Sequence, residues 1–182
     1  MSEARKIDVI IPTYHPDEKL EKCLRMLKRQ TVQPQKILLI NTEEEFFHSK
    51  VFSTVKQGGI VHITKPEFDH GGTRNQAASM CDGDIMILLT QDAIPADEHL
   101  IENLIKPFED EEVCAAYGRQ MADKKDNPIE AYTRIFNYPK ESRIKSKEDL
   151  PKLGIKTFFC SNVCAAYRKS EYNALGGFPL HT

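Results

Sequence analysis

Apolar positions in this chain follow two alternating rhythms. Continuous runs rich in Ile, Val and Leu recur at 7–13 (IDVIIPT), 36–41 (KILLIN), 60–64 (IVHIT) and 84–89 (DIMILL), the composition of strands buried on both faces. Between them the period lengthens. Leu20, Cys23, Leu24 and Leu27 recur at i, i+3, i+4 and i+7 behind Asp17 and Glu18, which predicts an amphipathic helix with acidic groups at its amino end. The stretch 43–57 reads as a second helix stopped by Gly58-Gly59, and 73–81 as a third. A fourth spans 97–108, with Leu100, Leu104 and Phe108 at helical spacing.

The strand pattern returns at 113–120 (VCAAYGRQ) and the character then changes. Residues 121–156 read as an excursion with one helix in IEAYTRIFNY and a charged loop after it, KTFFCSNVCAAYRK restores a strand, and SEYNALGGF ends in a short helix capped by Gly176-Gly177. Strands alternating with helices predict an α/β sandwich with a mainly parallel central sheet flanked by helices and joined by right-handed crossovers. Function is then expected beyond the carboxyl ends of the strands.

Composition narrows this. A chain of 182 residues with 40% hydrophobic and 29% charged content is expected to form a single domain over residues 1–182 with a real core. A formal charge of -2 provides no long-range field to gather nucleic acid or anionic lipid, so any phosphate must be held locally. The apolar run after MSEARK breaks at Pro12, unlike a signal peptide, and no stretch approaches the roughly 20 apolar residues that span a bilayer. A cytoplasmic protein is expected, with peripheral association at the inner face of the membrane compatible with this. The five cysteines, Cys23, Cys81, Cys114, Cys160 and Cys164, read as reduced structural thiols.

Four loops follow strands, and each carries polar residues suited to a nucleotide diphosphate. In PTYHP, Pro12, Thr13 and Tyr14 leave the first strand where a base or ribose can lie, although Pro and Thr also commonly end strands. Asn41 ends the second strand with an amide that can read a pyrimidine edge or cap the acidic run after it. FDHGGTRNQAA is sharper. Gly71 and Gly72 allow close backbone approach, Thr73 leads into a helix whose first amides favour an anion, and Arg74 and Asn75 add donors. The plainer alternative has Asp69 or Thr73 capping the helix with Arg74 in solvent. In LLTQDAIP, Asp92, next to Gln91, is placed to ligate a magnesium or manganese ion carrying a diphosphate, or to form a turn.

In order and spacing, DVIIPTYHP, KILLIN, GGTRNQAA, the GDIMILLTQD run and the closing GGF resemble the catalytic domain of glycosyltransferase family 2, over nearly the whole chain. The pair FDHGGTRN and LTQDA is similar to bacterial rhamnosyltransferases that use dTDP-rhamnose to build surface polysaccharides. The resemblance implies a GT-A fold and an inverting, metal-dependent transfer from a nucleotide-sugar donor to a glycan or lipid-linked glycan acceptor. It puts Thr13 by the base, Asn41 where a base-binding Asp usually stands, Arg74 on the nucleotide, Asp92 as the second carboxylate of Asp-x-Asp, and Asn162 beside the donor sugar or as a buried strand amide. Thr90 replaces the first carboxylate of that motif. Family members continue past GGF to a loop that holds the catalytic base, whereas here Thr182 follows Gly177 by five residues. The base is therefore expected beyond Thr182, and the chain as given is expected to bind donor without useful turnover. The competing reading is a non-enzymatic nucleotide-binding or regulatory module. A dehydrogenase or P-loop kinase is disfavoured, since neither G-x-G-x-x-G nor a Walker loop follows the first strand.

Overall fold

The computed structural model describes residues 5–48, 58–122 and 127–180. Its centre is a six-stranded sheet. The strands are β1 (Ile7–Tyr14), β2 (Lys36–Thr42), β3 (Gly58–Ile63), β4 (Ile85–Leu89), β5 (Ala115–Tyr117) and β6 (Cys164–Arg168), in spatial order β3-β2-β1-β4-β6-β5. The first four run parallel, and β6 is antiparallel to both β4 and β5.

Alternation along each strand divides the core into two layers. Ile7, Val9, Ile11, Ile37, Leu39, Ile85, Ile87 and Leu89 face one side, where helices α1 (Glu18–Lys28) and α3 (Leu100–Ile105) supply Leu20, Leu24, Leu27, Ile101 and Leu104. Ile10, Leu38, Ile40, Met86 and Leu88 face the other, against Ala77, Ala78 and Cys81 at the end of α2 (His70–Ser79) and Tyr172 of α6 (Lys169–Ala174). Both faces are covered, so continuous apolar runs rather than alternating ones encode these strands. Asp8 is fully buried at the opposite edge, where its carboxylate accepts from the amides of Asp82 (2.9 Å) and Gly83 (2.7 Å) and closes the turn into β4.

Several expected elements differ. Of the helix read over 43–57, the described residues show only a 3-10 turn, Glu44–Phe46, with 49–57 outside the described residues; Gly58-Gly59 opens β3. Helix α2 begins at His70, three residues before Thr73, because Asp69 rather than Thr73 is its cap and accepts from Gly72 N. The two late strand signals shrink to β5 and β6, because β6 stays in register with β4 only from Leu89↔Cys164 onward. Upstream, the chain turns away as a 3-10 segment, Gly154–Phe158, so Asn162 sits in a turn and not on a strand. The excursion holds α4 (Pro128–Asn137) and a single turn, α5 (Leu150–Leu153).

Candidate functional site

Parallel pairing of β1 with β2 places Thr13 directly opposite Asn41. Thr13 Oγ1 donates to Asn41 Oδ1 at 3.0 Å, while Asn41 Nδ2 donates to Glu43 O at 3.1 Å and lies 3.2 Å from His62 Nδ1. Asn41 is 0% exposed. Its amide is bonded within the protein, and it caps no helix among the described residues. It holds the backbone of Glu43, a non-glycine residue at φ 64.

Tyr14 and Gln91 are joined across the same edge. The Gln91 side chain accepts from Tyr14 N (2.9 Å) and donates to Tyr14 O (3.0 Å), so it locks the exit of β1 to the loop after β4. Pro12 pairs with Ile40 within the sheet. The ring of Tyr14 is 42% exposed and stands edge-on to His15 and Phe46, which stack on each other at 3.7 Å between centroids. His15 has φ 47, a strained conformation of a type that clusters at functional sites.

Helix α2 points its amino end at this edge. Its carboxyl end is fixed at the opposite edge, where Lys36 Nζ at the start of β2 donates to Met80 O (2.6 Å), and ten residues span about 15 Å. The glycines and the first amides of the helix are engaged within the protein. A Cβ on Gly71 would meet Pro179 O at 1.9 Å, so this glycine lets the helix pack against the C-terminal turn. The amides of Gly72 and Thr73 are already used by Asp69. Arg74 is different. Its guanidinium is half-buried and donates once, from Nη1 to His70 O (2.7 Å), while Nε is buried without a hydrogen-bond partner. Desolvation pulls its pKa below the ordinary value, with the phenols of Tyr167 and Tyr172 nearby. Asn75 is structural: Oδ1 accepts from Tyr172 Oη and Phe178 N, and Nδ2 donates to Phe178 O.

Asp92 follows β4 and is exposed. Beside it the Thr90 hydroxyl is buried without a partner. Among the described residues no group of three or more His, Cys, Asp or Glu could hold a metal ion. One carboxylate does not make a divalent centre, which takes about six oxygen ligands, so the residues present fit such an ion only if a diphosphate contributes most of the shell.

On the far side of β4, Asn162 Oδ1 accepts from Tyr167 Oη (2.5 Å). Asn162 also lines a cavity of about 560 Å³ between the turn before β6 and α4, with Gln120, Glu130, Arg134, Asn137 and Ser161 among its walls.

Residues 8–176 match the family described as Glycosyl transferase family 2. The chain belongs to glycosyltransferase family 2. It is 44% identical over 178 residues to the O-antigen chain rhamnosyltransferase RfbN of Salmonella typhimurium, and 42% identical over 176 residues to WbaN of Salmonella anatum. These matches cover 97% and 96% of this chain but 57% and 56% of those proteins, so the chain spans a little over half the length of the curated relatives it matches. Among solved structures it resembles a mannosyltransferase from Pyrobaculum calidifontis in complex with GDP-Man and Mn2+ (TM-score 0.65, 17% identity) and TarS of S. aureus (TM-score 0.69, 15% identity). They cover 98% and 96% of this chain and 48% and 50% of theirs. The fold of this family 2 domain is the expected GT-A α/β sandwich.

Several features of the family 2 domain escaped sequence reading. The cluster of Tyr167, Tyr172 and Phe178, whose rings meet edge to face at 5.3 to 6.0 Å, looked like ordinary strand and helix residues. Burial raises the Tyr167 hydroxyl well above its usual range and keeps it a neutral donor to Asn162. The alternation of Tyr with Ala in CAAYR was the available signal for a ring leaving the sheet on one face.

Proposed function

We propose that this domain binds a nucleotide-sugar donor across the carboxyl edge of β1, β2 and β4 and serves an inverting transfer of the sugar, rhamnose from dTDP-rhamnose, to a growing bacterial surface glycan. Family membership over residues 8–176 is the observation that carries the reading. The identity to two O-antigen rhamnosyltransferases supports the donor and the polymer.

Chemistry at the edge follows from the side chains there. The exposed ring of Tyr14, held by Gln91, offers a stacking face for a base. Departure of the nucleotide develops negative charge on its diphosphate, and Arg74 has a buried donor that lacks an acceptor. An anion there would satisfy the donor and recover the cost of leaving it unpaired. Asp92 would hold a magnesium or manganese ion together with the diphosphate, and that ion would offset the charge of the leaving group. The mannosyltransferase of similar fold carries GDP-Man and Mn2+.

Calorimetric titration with dTDP, UDP and GDP, with and without manganese, tests the placement. Arg74→Ala should weaken nucleotide binding about tenfold, the worth of one charge-assisted hydrogen bond. Unchanged affinity in that variant removes the diphosphate from α2. Nucleotide binding unaffected by manganese removes the ion from Asp92.

A further inference from the structure

Helix α4 leaves its apolar stripe uncovered and buries none of its residues. Its polar residues Glu130, Thr133, Arg134 and Asn137 line the cavity against the body of the protein. Tyr132, Ile135 and Phe136 fall on the other side at helical spacing and are 67%, 72% and 55% exposed, while Ile129, at the mouth of the cavity, is 78% exposed. Lys156 extends the surface, since its ammonium lies 3.2 Å from the centroid of the Phe136 ring, in the segment that also carries exposed Ile155 and Phe158. Contiguous apolar surface of this kind marks an interaction site in a soluble domain.

Charge indicates what covers it. Residues 128–160 carry seven Lys or Arg against four Asp or Glu, in a chain whose formal net charge is -2. Lys140, Arg143, Lys147 and Lys152 are all exposed. Two copies meeting through this face would oppose their basic segments, whereas an anionic surface would satisfy both the apolar stripe and its basic flank. No helix among the described residues is long and apolar enough to cross a membrane. We propose that the outward face of α4, with the basic segment after it, is a docking surface on which the domain lies against an anionic lipid bilayer.

This inference rests on α4 and its flank alone and does not depend on the donor site. It would hold the cavity behind α4 at the level of the lipid head groups, where a lipid-linked glycan presents its sugars.

The chain contains no tryptophan, so Phe136→Trp installs a single reporter at the centre of the face. Its emission should shift to the blue on adding vesicles of phosphatidylcholine with one third phosphatidylglycerol, shift far less with phosphatidylcholine alone, and return in high salt. Tyr132→Ser with Ile135→Ser, both exposed and so compatible with folding, should weaken vesicle binding in co-sedimentation about tenfold or more. Circular dichroism would confirm that the fold is kept. Lys140→Glu with Arg143→Glu should also weaken it, by about fivefold per charge removed. Three results overturn the proposal: no shift with either vesicle, binding untouched by the serine pair, or a shift without lipid that rises with protein concentration, which would mean a second copy covers the face. None of these bears on nucleotide affinity, so failure here is separable from failure of the proposed function.

Discussion

Helices α1 and α4 have eleven and ten residues and are both amphipathic, yet only α1 buries its apolar face. In α1 the apolar residues Leu20, Cys23, Leu24 and Leu27 are each 0% exposed against β1 and β2. In α4 the corresponding stripe meets solvent and the polar side borders a cavity, with Glu130 and Thr133 themselves exposed. Packing of its apolar face therefore stabilises α1, whereas local devices hold α4. Asn127 caps it by accepting from Glu130 N, Pro128 starts it, and Tyr138 just beyond its end is buried and bonded to Gln120. Helical periodicity reports that a stripe exists but is silent about what covers it.

The largest test of this contrast is a pair of truncations. Leu24→Ala in α1 should cost about 2–5 kcal/mol, the usual loss for a fully buried leucine. Ile135→Ala in α4 should change stability by no more than about 0.5 kcal/mol. Urea unfolding midpoints of the two variants measure both. A large cost at Ile135 in dilute protein would mean that its face is buried in solution after all, and the contrast would collapse.

A smaller effect sharpens the boundary between the packed half and the C-terminal turn. Asn75 joins α2 to Tyr172 and Phe178 through three hydrogen bonds, and the adjacent Gly176 and Gly177 both adopt positive φ (80 and 77) to bring that turn back to it. Asn75→Ala leaves buried partners unsatisfied and should cost about 1–3 kcal/mol. Asn75→Asp keeps the acceptor but sets a carboxylate oxygen against Phe178 O, so it should not restore the lost stability. Equal thermal midpoints for wild type and Asn75→Ala would mean the turn is not anchored there.

Legibility in the sequence followed the same division. The four parallel strands and α1 were readable to within a residue or two, because burial on both faces leaves an uninterrupted apolar signal at 7–13, 36–41, 60–64 and 84–89. Where register with a neighbour decided the length, as at β5 and β6, the apolar pattern overran the strand. The candidate site was legible as a set of loops but not as a set of roles. Thr13, Asn41, Gln91 and Asn75 are polar residues at strand or helix ends, and nothing in sequence distinguishes an amide aimed at a ligand from one bonded to its neighbours. In the structure these four bond to protein, whereas Arg74 Nε is buried without an acceptor and the Tyr14 ring and the Asp92 carboxylate are exposed. The glycines show the same ambiguity. Close approach was the correct inference for Gly71, but what approaches is the backbone of Pro179.

The smallest expected effect lies at the rim where α1 joins α3. Gln30, at the end of α1, donates to Asp97 O and accepts from Ile101 N, and Thr31 N donates to Glu98 O, so the two helices are stitched by backbone contacts that pH does not touch. Outside them, exposed His99 Nδ1 lies 3.0 Å from Glu102 Oε2, which also accepts from Thr31 Oγ1. The hydrogen bond to Glu102 raises the His99 pKa above 6.5, with the charges of Glu102, Glu98 and Asp97 acting in the same sense. The bonds from His99 and Thr31 lower that of Glu102 below 4.5, with Lys106 contributing. Histidine with a raised pKa stabilises the fold fully below 6.5 and loses that contribution as pH rises through its folded value. Glutamate with a lowered pKa contributes fully above 4.5 and loses its share as pH falls through its folded value. The pair is therefore worth most between these limits, and solvent keeps its worth small. Thermal midpoints of wild type and His99→Ala should differ more at pH 5.5 than at pH 8, with salt narrowing the gap at the lower pH. A difference that grows toward pH 8 would reverse the sign of the histidine shift and place this rim, like α4, outside the stabilising contacts of the packed half.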